Sequence, residues 1–89
     1  MIEAEELLIK CSETLIERGK QYGDAHDLYR GTAQLWSAYT GQTVTPSDIC
    51  MMMALMKIGR LSQGVDDKEA HFDTYIDAVN YIALAQGLE

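Results

Sequence analysis

Thr45-Pro46-Ser47-Asp48-Ile49-Cys50-Met51-Met52-Met53-Ala54-Leu55-Met56-Lys57-Ile58-Gly59-Arg60 is the stretch that decides the fold. Thr45 suits an N-cap, Pro46 the first helical position, and Asp48 the third, where a carboxylate meets the positive end of the helix dipole. The spacing predicts a helix from residue 46 to about 62. From Ile49 to Met56 it is apolar all round, as expected of a central, buried helix with its methionines in the core.

Outward from this helix the pattern stays helical. Residues 2–19 place Ala4, Leu7, Leu8, Cys11 and Leu15 on one face and Glu3, Glu6, Lys10, Glu13, Glu17 and Lys20 on the other, with Gly19 as the expected stop. Lys20-Gln21-Tyr22-Gly23-Asp24 is a break in which Gly23 supplies a positive φ and Asp24 an N-cap. A second helix is predicted over about 25–39. Leu28, Leu35, Trp36 and Tyr39 mark its apolar side, and Trp36 is expected in the core. Residues 63–67 read as a loop. A last helix is predicted over about 69–86, with Phe72, Ile76, Val79 and Ala83 on one stripe and Gly87 just past its end. No strand pattern is present. The expectation is an all-α, single-domain four-helix bundle over residues 1–89. A chain of 89 residues buries little surface alone, so a homodimer or larger assembly is expected.

Composition narrows the function. Seven Lys and Arg against 14 Asp and Glu give a net charge of −7, which argues against a nucleic acid polymer as partner. Hydrophobic residues make up 47% of the chain, too many for disorder. Cys11 and Cys50 show no metal-ligand spacing and read as small buried hydrophobes in a reducing compartment. The beginning Met-Ile-Glu-Ala-Glu-Glu is acidic and lacks the apolar run expected of a signal sequence, and the run Ile49 to Met56 is too short for a membrane span. The expected setting is the cytoplasm, without a membrane partner.

Two polar couples stand out. Lys57 and Arg60 lie three apart, Asp73 and Asp77 four apart, so each couple shares a helix face. Across a short loop, the third and fourth helices should be antiparallel neighbours. Considered alone, the spacing then favours a structural network in which Arg60 meets Asp73 and Lys57 meets Asp77. The alternative is a site. Asp73 and Asp77 would hold Mg²⁺, with further ligands from elsewhere. Lys57 and Arg60 would meet phosphate, with Arg18 and Arg30 converging from other helices. Tyr22, in the Tyr-Gly-Asp turn, would stack on a base. His26 and His71, each near a helix start, read as surface residues.

The blocks Arg18-Gly19-Lys20-Gln21-Tyr22-Gly23-Asp24, Leu35-Trp36, Thr45-Pro46-Ser47-Asp48, Lys57-Ile58-Gly59-Arg60 and Asp73-Thr74-Tyr75-Ile76-Asp77-Ala78-Val79-Asn80-Tyr81, in this order, resemble a family of small phage and prophage proteins of unknown function. The likeness covers about residues 15–86. More loosely, the order is similar to the phage nucleotide-modification-associated domain and to the MazG-like all-α nucleoside triphosphate pyrophosphatases. The MazG-like enzymes hold Mg²⁺ with a Glu-Glu-x-x-Glu helix and an acid-x-x-Asp helix. Here Glu5-Glu6 lacks the third Glu, and Asp73 and Asp77 are four apart instead of three. The resemblance implies a pocket for a nucleotide-like small molecule, with Arg18, Tyr22, Asp24, Lys57, Arg60 and Tyr81 as ligand-binding residues. Three functions remain open: capture of a nucleotide signal as an anti-defence sponge, Mg²⁺-dependent hydrolysis of a nucleoside phosphate, and binding of a host protein through the acidic first helix and the methionine cluster.

Overall fold

The computed structural model describes residues 2–63 and 68–88, apart from the side chain of Tyr22. Four helices follow in chain order: α1 (Ala4–Tyr22), α2 (Ala25–Thr40), α3 (Pro46–Leu61) and α4 (Lys68–Gly87). Most of the predicted loop, residues 64–67, lies outside the described residues.

Local chemistry sets the helix ends. The Thr45 hydroxyl accepts from the Asp48 N–H at 3.1 Å while the Asp48 carboxylate accepts from the Thr45 N–H at 3.0 Å, a complete capping box. Asp24 caps α2 by accepting from the His26 N–H at 2.8 Å. Helix α1 runs through Gly19, the expected stop, and ends at Gly23. There the backbone turns to a φ of 78° and the Gly23 N–H returns to the Gly19 carbonyl. A glycine inside a helix weakens it but does not end it; the change to positive φ does.

Helices α3 and α4 form an antiparallel hairpin, the best-packed pair in the fold. The Ser47 hydroxyl, at the start of α3, donates to the Ala85 carbonyl near the end of α4 at 2.9 Å. Helix α2 packs on α3, and α1 packs on α4. The consecutive helices α1 and α2 therefore pack on different helices of the hairpin. Ser37 fixes the α2–α3 connector, its hydroxyl donating to the Val44 carbonyl and accepting from the Val44 N–H.

The arrangement changes which apolar residues are interior. The core is Cys11, Ala33, Ile49, Cys50, Ala54, Ile76, Ala78, Ala85 and Leu88, mostly small side chains. Helix α3 is central, as expected, yet buries one face only: Met51, Met52, Leu55 and Met56 are exposed, against the expectation of a fully buried helix. Two helices pack on α3, and two neighbours cannot enclose a helix that is apolar all round. The stripe of Leu28, Leu35 and Tyr39 on α2 also points outward, and Trp36 is exposed, resting edge-on to Tyr39. Helix α2 instead approaches α3 through Ala33 and half-buried Tyr29, the latter packed on the core cluster of Cys50, Ala85 and Leu88.

Candidate functional site

The site grows from Asp77, which sits midway along α4 where side chains of α1 and α3 reach it. One carboxylate oxygen accepts from Arg18 of α1 at 2.8 Å and the other from Lys57 of α3 at 3.0 Å. Burial alone would raise the Asp77 pKa, but the hydrogen bonds and charges of Lys57 and Arg18 outweigh it and hold the carboxyl below its ordinary value. Lys57 is largely covered and Arg18 is about half exposed. Of the two expected ion pairs across the hairpin, the structure forms Lys57–Asp77. It places Arg60 and Asp73 on exposed surface with no ion pair between them.

A cleft of about 560 Å³ opens beside this triad, between the end of α1, the start of α2 and α4. Arg18 and Asp77 line it, together with Asp24, Tyr29, Asn80 and Tyr81. Tyr29 and Tyr81 are neighbours in this lining. Burial, then the neighbouring Tyr81 and Cys50, push the Tyr29 phenol up to about 12. The Asp24 carboxyl lies below its ordinary value because it accepts from the His26 backbone N–H and the His26 ring. Asn80 is buried and anchors the cleft floor, its amide donating to the Cys11 carbonyl at 3.1 Å. The thiols are free and buried, and burial pushes both upward, away from thiolate chemistry.

Of the residues singled out in the sequence, the cleft thus brings together Arg18, Asp24, Tyr81 and Asp77. Lys57 stands behind Asp77, and Arg60 and Asp73 are outside the lining. Tyr22 closes α1, but its side chain lies outside the described residues. Tyr29 and Asn80 are additions. The line Ala25, Tyr29, Ala33 at steps of four, small residues flanking one ring, was the available signal for Tyr29 facing inward. Among the described residues, no three His, Cys, Asp or Glu side chains gather as a metal-ligand group. A second cleft, of about 480 Å³, lies between Ile2, Leu7, His71, Phe72 and Tyr75. His71 is half-buried there, not on the surface as expected. No described helix is long and apolar enough to cross a membrane.

The chain is 34% identical over 85 residues to the Gene 55 protein of Mycobacterium phage L5 and 31% identical over 83 residues to the Gene 55 protein of Mycobacterium phage D29. These alignments take in 92% and 91% of this chain but 52% of each relative, so the chain spans about half the length of the curated relatives it matches. No solved structure matches it. Residues 6–89 match the family described as a domain of unknown function, DUF6378. With that match over nearly its whole length, the chain belongs to this family, in keeping with its resemblance to small phage proteins of unknown function.

Proposed function

We propose that the cleft between α1, α2 and α4 captures a nucleotide or nucleotide-derived small molecule without turning it over. One observation carries this: a cleft of about 560 Å³ sets the half-exposed Arg18 guanidinium beside two tyrosines and an asparagine. That volume falls within the usual range for small-molecule sites, about 300–1,000 Å³. Arg18 supplies a fork for phosphate, Tyr29 and Tyr81 present ring surface and phenol oxygens to a nucleoside, and Leu28 and Leu84 add apolar wall. Asp77, itself paired with Lys57, holds Arg18 in place. Capture is favoured over Mg²⁺-assisted hydrolysis because each Asp77 oxygen already receives a cation and Asp73 is not part of the lining. A protein of this kind, related to phage proteins, would act in the host cytoplasm by withdrawing a nucleotide signal used in defence.

The test is incubation of the purified protein with nucleoside triphosphates, cyclic dinucleotides and ADP-ribose derivatives, with and without Mg²⁺. Mass spectrometry then follows the free compound and whatever heating releases. The expected result is a compound that disappears, returns intact on heating, and stays in solution with Arg18→Ala. A Mg²⁺-dependent product would replace capture by hydrolysis. No depletion of any compound would overturn nucleotide capture across that panel.

A further inference from the structure

We infer that the outward apolar faces of α2 and α3 form the interface on which a second copy of this chain docks. The inference is independent of the cleft. On α3, Met51, Leu55 and Ile58 follow at steps of four and three and make one exposed stripe, with Met52 and Met56 beside it. On α2, Leu35 and Tyr39 make another, 73% and 88% exposed. The two helices are packed neighbours.

Area shows how much is missing. The chain exposes 6572 Å², whereas a folded monomer of 9.9 kDa exposes about 5,200 Å². The radius of gyration is 14.2 Å, against about 12 Å for a compact domain of this length. The excess, about 1,400 Å² per chain, is what each subunit of an obligate dimer buries, since such interfaces total about 2,000–5,000 Å².

The nature of the core selects the occupant. Among the described residues, Ile49, Ile76 and Leu88 are the large aliphatic side chains in it, and the rest is Ala and Cys. A core this thin does not sustain a small domain, so the covering surface must be present whenever the chain is folded. A second copy meets that condition. Charge permits the contact despite a net charge of −7 on each chain. From Ile49 to Met56 there is no charged residue, and Lys57 is turned inward onto Asp77. Two α3 helices can therefore approach through a two-fold, self-complementary contact without opposing like charges.

The test joins mass to a local readout. Sedimentation of the native protein is expected to give two or more copies, with a melting temperature that rises with concentration. Brief peroxide treatment followed by mass spectrometry is expected to leave Met51, Met52 and Met56 slower to oxidise than in the urea-unfolded chain by about tenfold or more. Leu55→Glu and, separately, Leu35→Glu are expected to shift the assembly toward monomer. A monodisperse monomer overturns the inference. So does an assembly in which the three methionines oxidise at the unfolded rate, a readout that stands even where the Glu variants fail to fold.

Discussion

The Asn80 side chain donates to the Cys11 carbonyl oxygen at 3.1 Å, joining residues 69 positions apart. It is a buried polar link in a contact otherwise made by Cys11, Ile76 and their neighbours, and it sets how α1 lies along α4. A buried amide with its partner in place helps specify the packing; the same amide removed leaves a gap.

Asn80→Ala is therefore expected to destabilise the protein by about 1–3 kcal/mol, combining the lost hydrogen bond with a small void. Urea unfolding checks this. The loss should be concentrated in α1, whose amides are expected to show the largest rise in hydrogen exchange.

Asp77 makes the fold sensitive to acid. Its folded pKa is lowered relative to an unfolded value near 4, so its stabilising contribution is complete above that value and is lost as pH falls through the lower folded one. Asp77→Asn is expected to lower stability at neutral pH by about 1–2 kcal/mol, tempered by the exposure of Arg18. It should also flatten the pH dependence below about pH 4. Chemical denaturation of both proteins at a series of pH values reads both effects. An unchanged acid limb in the variant contradicts the assignment.

Thr45→Ala removes half of the capping box and is expected to cost about 1 kcal/mol. Asp48→Ala removes the other half. Because the two groups bond reciprocally, the double variant should lose less than the sum of the singles, which a double-mutant cycle measures.

Gly23 and Gly19 should respond in opposite directions to alanine. Gly23 holds a φ of 78°, and Gly23→Ala is expected to destabilise by about 1 kcal/mol or more. Gly19 is helical with no atom within 4 Å of an added Cβ, so Gly19→Ala is expected to stabilise by about 0.5–1 kcal/mol. Paired thermal melts decide both signs.

Helices and caps were legible because their causes are local: Thr45-Pro46-Ser47-Asp48 and Asp24 act within one turn. The end of α1 was misplaced by four residues because two glycines compete there, and only the backbone geometry at Gly23 separates them. Periodicity showed that Leu28, Leu35 and Tyr39 share a face, but not that the face points away from this chain's own core. Apolar stripes look alike whether covered by the same chain or by something else. The Lys57–Asp77 pair followed from hairpin register, since both residues lie on consecutive helices. The Arg18–Asp77 pair did not, because it needs α1 to pack on α4 across 59 residues. Tyr29 escaped for a similar reason: nothing near it in sequence reveals Tyr81.

The packing of α1 on α4 and of α2 on α3 also orders events during synthesis. Helix α1 leaves the ribosome first, while its packing partner α4 is the last of the four to be made. Until then Leu7, Cys11 and Leu15 have nothing to rest on. Closure between Cys11 and Asn80 joins residues 69 positions apart, and long-range contacts form slowly. The charged side chains of α1, Glu5, Glu6, Lys10, Glu13, Glu17, Arg18 and Lys20, keep the waiting segment hydrated.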